Sequence, residues 1–358
     1  MDTILIIILS IAGAAVLAGL IYWYAFRYET GNFMLSKAEI FIKRKADSIS
    51  LNPSKEPFFT ALHISDLHLR KDRNGEKLIK FIKSLAKLEP DFIFITGDLV
   101  ERNEYFGILL DMLSPLKAKT GKYAVFGVHD YYNKSAWEFT RNMLKKKKTY
   151  KRPNDTSELV EKLRQAGITV LQNEKVNVKL PFKKDGIQIN LEIAGIEDPV
   201  IEKADTDKVF IKEFENNASC AETITELIPD LQKASRDKKP HSSAKQAFRP
   251  AARNEHVLNN PYKMLICLTH TPDQELITEL SSNGADLVIA GHTHGGQVRL
   301  PGIGAIISGC NIKTKYASGL FYFKKFVLFI SRGLGTGRYS PFRFYCQPEA
   351  VIVNVYLA

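Results

Sequence analysis

Seven carboxylate and imidazole side chains follow directly on apolar, strand-like runs of the sequence. They are Asp66, His68, Asp98, His129, His270, His292 and His294. Five of the eight histidines of the chain stand in this position, and hydrophobic periodicity does not require them there. Because strand ends at one edge of an α/β sheet converge on the ligand crevice, residues far apart in sequence can meet at that edge. The pattern therefore predicts one cluster of acidic and imidazole groups.

A mixed set of carboxylates and imidazoles is a donor set for transition metals. Such ligands suit Mn, Fe or Zn better than the all-oxygen shell that Ca or Mg prefers, and one bridging carboxylate can hold two ions roughly 3.5–4 Å apart. Two ions that share a water lower its pKa, so that hydroxide attacks phosphorus near neutral pH. We therefore expect two divalent ions, with Mn preferred and Zn, Fe or Mg as alternatives.

The elements that position this cluster alternate between strands and helices from Phe58 onward. Five strand-like runs end in the polar groups: 60–69, 91–100, 122–130, 263–270 and 286–294. Apolar residues at helical spacing separate the first run from the second and the second from the third. These features indicate an α/β core. A second group of runs without intervening helices predicts an additional, partly antiparallel sheet.

Residues 4–26 form an apolar run without a charged side chain. As a helix this run is roughly 34 Å long, enough to cross the hydrocarbon core of a bilayer. A cleaved signal peptide is the alternative, but no Lys or Arg precedes the run, and it exceeds the roughly 7–15 residues of a typical signal core. We expect residues 1–27 to be a transmembrane anchor. Because the basic flank follows the run, the positive-inside rule places the remainder in the cytoplasm, at the inner membrane.

Residues 28–57 are expected to be a juxtamembrane linker. Its segment 33–49 mixes large apolar and basic side chains, which predicts an amphipathic helix on an anionic membrane surface, with a helix packed on the domain as the alternative. Further along, a basic loop at 145–155 and a polar stretch at 231–256 interrupt the pattern. The composition of the polar stretch predicts a flexible insert.

The chain carries a formal net charge of +11. An excess of this size favours acidic partners, namely an anionic membrane, a phosphate-bearing substrate or nucleic acid. Nucleic acid is the least favoured, since the basic loops lack interleaved aromatic residues. The four cysteines show no CxxC spacing, so neither a zinc knuckle nor a disulfide framework is predicted. No feature of the sequence indicates an oligomeric state.

Five motifs in order resemble those of the calcineurin-like metallophosphoesterases. They are DLH at 66–68, GDLVE at 97–101, GVHD at 127–130, LTHTPD around His270, and GHTHGGQ at 291–297. GGQVRLP and the segment SRGLGTGRYSPFRFYCQPE at 331–349 are similar to a membrane-anchored bacterial branch, which includes phosphodiesterases and enzymes resembling UDP-2,3-diacylglucosamine hydrolases. The resemblance implies a sandwich of two mixed β-sheets flanked by helices, spanning residues 58–358.

The resemblance also implies a role for each site residue. The first metal would be held by Asp66, His68, Asp98 and His294. The second metal would be held by Asp98, His270 and His292, with Asp98 bridging. His129 would stand beside the leaving oxygen, where it would donate a proton or stabilise the negative charge, and Glu101 would orient the His129 ring.

One position departs from the family motif. The family has an asparagine ligand where this chain has Val128, so we expect a weaker second metal site. A water, a backbone carbonyl, or a side chain such as Asn103 or Asn133 could replace the missing oxygen. Three arginines near glycine-rich turns are predicted to contact substrate phosphate, with solvated surface arginines as the alternative: Arg299, Arg332 and Arg343.

The leading hypothesis is a membrane-anchored dinuclear enzyme that hydrolyses a phosphodiester or pyrophosphate. The expected substrate is lipid-linked, and the resemblance suggests UDP-2,3-diacylglucosamine and lipid A synthesis. A general membrane phosphodiesterase or phospholipid hydrolase is the first alternative. The second is a catalytically weakened, membrane-tethered binding protein, motivated by Val128. A nuclease is the least favoured.

Overall fold

Two six-stranded β-sheets form the centre of the protein. The computed structural model describes residues 3–43, 56–133, 135–143, 150–179, 189–210 and 262–357. The strands in these ranges are β1 (Met34–Ile42), β2 (Phe59–Ser65), β3 (Phe92–Thr96), β4 (Gly121–Val125), β5 (Ile168–Val170), β6 (Glu174–Lys179), β7 (Ile189–Ile196), β8 (Tyr262–Thr269), β9 (Leu287–Ala290), β10 (Arg299–Leu300), β11 (Gly304–Ala305), β12 (Gly319–Tyr322), β13 (Val327–Ile330) and β14 (Glu349–Leu357). The predicted insert at 231–256 and residues 145–149 of the predicted basic loop at 145–155 lie outside the described residues.

Helices flank both sheets. Those in the described ranges are α1 (Thr3–Trp23), α2 (Arg73–Ser84), α3 (Phe106–Leu113), α4 (Val128–Tyr131), α5 (Ala136–Met143), α6 (Ser157–Gln165), α7 (Thr206–Val209) and α8 (Gln274–Ser282). Helices α2, α3 and α6 bury Leu78, Leu109 and Leu163 against one sheet. Helix α8 buries Leu280 against the other sheet. Burial of such a side chain stabilises the fold by about 1.5–3 kcal/mol.

Both sheets are mixed, which confirms the predicted sandwich. The first sheet has the order β1-β14-β2-β3-β4-β5, and the second has the order β12-β13-β9-β8-β7-β6. Strands β2 to β5 run parallel, whereas β14 runs antiparallel to β2. The five predicted α/β strands do not share one sheet, because β2, β3 and β4 belong to the first and β8 and β9 to the second. Both sheets therefore contribute strand ends to the site.

A hydrophobic core fills the space between the sheets. Phe59, Phe92 and Val125 of the first sheet pack with Leu191 and Ile266 of the second, and all five are at most 1% exposed. The rings of Phe59 and Phe92 meet edge to face with centroids 5.3 Å apart, a geometry that favours aromatic packing. This core holds the ends of β2, β3 and β8 together at one edge of the sandwich.

The predicted amphipathic helix at 33–49 is wrong for its described part. Residues Met34–Ile42 form β1, which pairs in parallel with β14 over its full length, from Met34 beside Glu349 to Ile42 beside Leu357. Burial alternates along most of the strand, as side chains on opposite faces of a sheet must. The backbone N–H and C=O groups of this segment are hydrogen-bonded to β14, whereas in a helix they would bond to one another. Residues of the predicted linker thus extend the first sheet.

Helix α1 stands apart from the sandwich. Its side chains are exposed along Thr3–Trp23, and it is long and apolar enough to cross a membrane. The chain then widens into a π-helical turn at Tyr24–Tyr28 that packs on the domain. The backbone N–H of Arg343 donates to the carbonyl of Ala25 at 3.0 Å, so the end of α1 is joined directly to the folded unit.

Candidate metal centre

Left-handed backbone turns carry most of the predicted site residues. Asp66, Asp98 and His292 have φ angles of 53°, 53° and 67°, which lie outside the range of a β-strand. The predicted strands are therefore too long at this edge, since β2 ends at Ser65 and β3 at Thr96. These turns redirect the side chains from the sheet edge into a common space.

Glycines beside the turns allow the loops of the two sheets to approach each other. A Cβ atom on Gly97, whose φ is 71°, would lie 2.5 Å from Nδ1 of His270. A Cβ atom on Gly127 would lie 2.4 Å from Oδ1 of Asp98. Only glycine permits backbone contacts this close, so these motif glycines set the spacing of the site.

One group of converging ligand atoms comes from Asp66, His68 and His294. Their ligand atoms all lie within 4.8 Å of one another. Nε2 of His68 is 3.2 Å from Nε2 of His294, which in turn is 3.7 Å from Oδ1 of Asp66. This arrangement brings together three of the four residues predicted to hold the first metal.

A second group of converging atoms comes from Asp98, His270 and His292. Nε2 of His270 lies 3.2 Å from Oδ2 of Asp98 and 3.2 Å from Nδ1 of His292. The same Asp98 oxygen lies 3.4 Å from Nε2 of His68, in the first group. Asp98 therefore stands between the groups, where a bridging carboxylate would have to be.

The proton positions on two rings test whether this site fits cations. Nδ1 of His270 lies 2.8 Å from the carbonyl oxygen of Thr96, and Nδ1 of His68 lies 2.8 Å from Oε1 of Glu101. Both oxygens only accept hydrogen bonds, so both Nδ1 atoms carry the proton. In each neutral ring a lone pair on Nε2 then faces the Asp98 carboxylate. A lone pair and a carboxylate repel each other, so a positive charge must lie between Nε2 of each ring and Asp98. The residues therefore fit metal ions, whose histidine ligands are commonly oriented by a hydrogen bond from the other ring nitrogen.

The electrostatics of the buried site agree with this requirement. Burial lowers the pKa of His270, but Asp98 and Asp66 outweigh it and raise this pKa well above its usual value. Burial, together with the charges of His68 and Arg343, lowers the pKa of His294 well below its usual value, so this ring stays neutral and able to donate a lone pair.

Comparison with known proteins identifies the family. The sequence profile of the calcineurin-like phosphoesterases matches residues 59–296. The chain belongs to the calcineurin-like phosphoesterase family. The matched range contains the two ligand groups and their turns, so the predicted family resemblance is confirmed.

Several bacterial proteins are similar to this chain over most of their length. The uncharacterized metallophosphoesterase YkuE of Bacillus subtilis is 25% identical, over 97% of this chain and 93% of its own. The phosphodiesterase YaeI of Escherichia coli is 24% identical, over 83% and 82%. The UDP-2,3-diacylglucosamine pyrophosphatase LpxG of Chlamydia trachomatis is 28% identical, over 82% of each chain.

Glu101 contacts the ring of His68 in addition to that of His129. Its carboxylate bonds Nδ1 of His68 at 2.8 Å and pairs with Nδ1 of His129 at 3.9 Å, so it contacts a candidate metal ligand as well as the predicted proton donor. Burial raises the pKa of Glu101, but the His68 hydrogen bond and the nearby charge of His129 outweigh it and lower the pKa to about 2. Glu101 is therefore a charged partner for His68.

His129 stands at the edge of the ligand groups of this phosphoesterase. Its ring lies across that of His68, with centroids 4.8 Å apart, and its side chain is 17% exposed. Its backbone N–H donates to Oδ1 of Asp98 at 2.8 Å. A ligand atom of His129 also comes within 4.8 Å of those of His68 and Asp98. This imidazole can therefore act either as an acid beside the centre or as a further ligand.

Val128 lies buried at the start of α4, with 1% of its surface exposed. Its isopropyl group has no atom that can bind a metal. Of the predicted replacements, Asn103 is exposed, and the backbone N–H of Asn133 donates to the carbonyl of Arg152 at 3.0 Å. Replacement of the family asparagine by another group stays a prediction.

Val128→Asn is expected to raise the affinity for a second metal ion about 10-fold or more. Mutation of residues around a metal site commonly changes metal affinity by at least this factor. The physical reason is an added neutral oxygen on the residue between Gly127 and His129, both of which approach Asp98. Titration of the metal-free protein with Mn, followed by metal content per chain, measures the effect. Val128→Thr is the control, because it adds a polar atom with less reach. Equal affinities for all three proteins would contradict the idea of a missing ligand.

The predicted phosphate-clamping role of Arg343 is wrong. This side chain is completely buried, and its Nη2 atom donates to the carbonyls of Gly335 at 2.6 Å and Arg332 at 2.9 Å. Nη2 also lies 3.3 Å from Nδ1 of His294. Enclosed in this way, the guanidinium has no face for a phosphate and instead supports the turn that carries His294.

The other two arginines are also held by the protein. Arg332 is paired with Glu349, with Nη2 2.5 Å from Oε2, and so links its loop to β14. Nη1 of Arg299 donates to the carbonyl of Gly295 at 2.9 Å and to Ser318 at 3.1 Å. Both are partly accessible, and their role in phosphate binding stays a prediction.

Asp130, the last residue of the GVHD motif, is a positioning residue. It is 3% exposed, and its carboxylate accepts the backbone N–H groups of Gly127, Asp98 and Leu99 at 2.8–2.9 Å. These bonds tie the turn after β3 to the turn after β4. The signal for this role was its place in GVHD, three residues after a motif glycine, but its backbone partners depend on tertiary structure.

Proposed function

We propose that this chain is a dinuclear metal-dependent hydrolase of phosphodiester or pyrophosphate bonds, acting on a lipid-linked substrate at the inner membrane. The observation that carries the proposal is the position of Asp98 between two groups of buried ligand atoms. A single carboxylate shared between two imidazole groups is suited to holding two divalent ions. Membership of the calcineurin-like phosphoesterase family supports the same reading.

The proposed ligands are Asp66, His68, Asp98 and His294 for one ion and Asp98, His270 and His292 for the other. When bound, two divalent ions supply a hydroxide nucleophile and neutralise charge on the phosphoryl oxygens. The side chains of the protein orient this centre: Glu101 holds the ring of His68, and the His129 backbone N–H holds one oxygen of Asp98.

His129 is the proposed general acid. Its side chain is 17% exposed, compared with 14% for His294 and less for His68, Asp98 and His270. It can therefore meet the leaving oxygen of a substrate that enters from solvent. Protonation of that oxygen by His129 prevents an alkoxide or phosphate anion from accumulating as the bond to phosphorus breaks. Hydrogen-bonded neighbours keep its loop in place, because Asp130 anchors the same turn.

The proposed location follows from α1 and the charge of the chain. Helix α1 would anchor the domain, with the domain on the cytoplasmic side according to the positive-inside rule. An acidic amphiphile at the bilayer matches both the anchor and the net charge of +11. The LpxG relative makes UDP-2,3-diacylglucosamine, an intermediate on the route to lipid A, the specific substrate of this proposal. The YaeI relative favours a general phosphodiesterase as the second candidate.

A substrate panel tests both candidates. The purified full chain in detergent is assayed with Mn, Mg and Zn on UDP-2,3-diacylglucosamine, simple phosphodiesters and phosphomonoesters. Preferential release of UMP from the lipid nucleotide is expected. Equal rates on all phosphodiesters would favour the general phosphodiesterase. Metal binding without turnover of any ester would leave only a membrane-tethered binding protein.

A further inference from the structure

An exposed apolar hairpin leads out of the metal centre and returns to it. Strands β10 and β11 form this hairpin, which we call the 300–307 hairpin. Its large apolar side chains point into solvent, with these exposures: Leu300 36%, Ile303 74%, Ile306 52% and Ile307 58%. Four exposed apolar side chains within eight residues form a patch that marks a contact surface. Between Gln297 and Gly309 the only charged residue is Arg299, which is basic.

The base of the hairpin is packed against the turns that carry the candidate ligands. A Cβ atom on Gly296 would lie 2.4 Å from Cβ of Ala305, so the returning strand sits directly on the turn that holds His294. A Cβ atom on Gly309 would lie 3.9 Å from Nε2 of His292. A molecule bound to the hairpin would therefore lie next to the metal centre.

The same hairpin is joined to the end of helix α1. The backbone N–H of Arg299 donates to the carbonyl of Phe344 at 2.9 Å, and the N–H of Phe344 donates to Gln297 at 3.0 Å. The Phe344 ring meets the ring of Tyr24 edge to face, with centroids 5.6 Å apart. One short segment thus separates the exposed apolar patch from the end of the candidate membrane helix.

Aromatic and basic residues surround this junction. A cleft at the end of α1 is lined by Trp23, Arg27, Tyr28, Arg73 and Lys77, among others. Trp and Tyr concentrate where a membrane helix leaves the bilayer, and basic residues there attract anionic headgroups. The level of the headgroups therefore lies at this end of α1, beside the segment that carries the 300–307 hairpin.

We propose that the 300–307 hairpin inserts into the bilayer leaflet next to α1 and opens a direct path for a lipid substrate from the membrane to the metal centre. The continuity of the patch with α1, and its lack of acidic side chains, favour lipid over a second protein copy. Insertion of apolar side chains beside a transmembrane helix gives the domain a second point of membrane attachment and so restricts its orientation. The insertion itself rests on geometry, whereas the path for substrate rests on the proposed function.

The insertion is tested with Ile303→Trp in full-length protein reconstituted in nanodiscs. Lipids brominated on the acyl chains should quench the fluorescence that Trp adds at this position, measured against the parent chain with its two tryptophans. Lys83→Trp is the matched control, because Lys83 is exposed at the far end of α2, and should not be quenched. Absence of quenching at position 303 would overturn insertion. Insertion would also be overturned if the emission of the tryptophan at position 303 shifted as the protein-to-lipid ratio rose but was not quenched by bromine. That result would indicate contact between copies of the protein.

The path for substrate is tested with Ile303→Asp combined with Ile307→Asp. We expect kcat/KM on a phosphodiester lipid in vesicles to fall about 10-fold or more, while kcat/KM on water-soluble bis(p-nitrophenyl) phosphate changes less than about twofold. The control, Ile303→Leu with Ile307→Leu, should match the parent on both substrates. Unchanged lipid hydrolysis in the Asp variant would overturn the path. Failure of the parent on both substrates would instead refute the proposed function, and the quenching result would still decide insertion.

Discussion

Asp98→Asn is expected to lower kcat/KM by about 10³-fold or more and to leave fewer than two metal ions per chain. Asparagine keeps the shape of the side chain and an oxygen that can accept the His129 backbone N–H. It removes the negative charge that His68 and His270 both face across 3.2–3.4 Å. Loss of a shared metal ligand removes several kcal/mol of transition-state stabilisation, and each 1.36 kcal/mol is a factor of 10 in rate.

Metal content by mass spectrometry and hydrolysis of bis(p-nitrophenyl) phosphate measure this effect. Asp91→Asn is the control, because Asp91 is also buried but accepts hydrogen bonds from Thr60 at the start of β2, away from the centre. The control should retain metal and activity even if its stability falls. An Asp98→Asn protein with two ions and parental rates would show that Asp98 does not bridge.

His129→Ala is expected to keep both metal ions and to lower kcat by about 10²–10⁴-fold, the usual contribution of a positioned general acid. The loss should depend on the leaving group. An alkyl phosphodiester needs a proton on its departing oxygen and should show the full loss. A p-nitrophenyl ester, whose leaving group is stable as an anion, should show a much smaller one.

The comparison of leaving groups separates two roles that the geometry of His129 permits. A variant that loses a metal ion would make His129 a ligand, in line with its closeness to His68 and Asp98. A loss of equal size for both esters would also exclude proton donation to the leaving oxygen. His129→Gln serves as a second variant, since it retains a polar side chain of similar length. A loss shared by both variants is then due to the missing imidazole and not to a changed structure of the turn.

Position in sequence was a good guide to which side chains converge but a poor guide to where the strands end. Apolar runs located β2, β3 and β4 correctly, because strands that are buried on both faces read as nearly continuous apolar segments. They extended these strands past their true ends, because the positive φ angles at Asp66 and Asp98 arise only when the loops of two sheets meet. The predicted helix at 33–49 failed for a related reason: a strand that pairs with residues more than 300 positions away has no local signal.

The sequence by itself determined the family, the α/β class, the apolar N-terminal run and the types of candidate ligand, since motif order and donor chemistry are local properties. Tertiary structure alone decided that the strands divide between two sheets, that Glu101 bonds His68, and that Arg343 is enclosed rather than open to phosphate. It also decided that the 300–307 hairpin lies between the metal centre and the end of α1. These are relations between distant segments, and only packing of the folded chain establishes them.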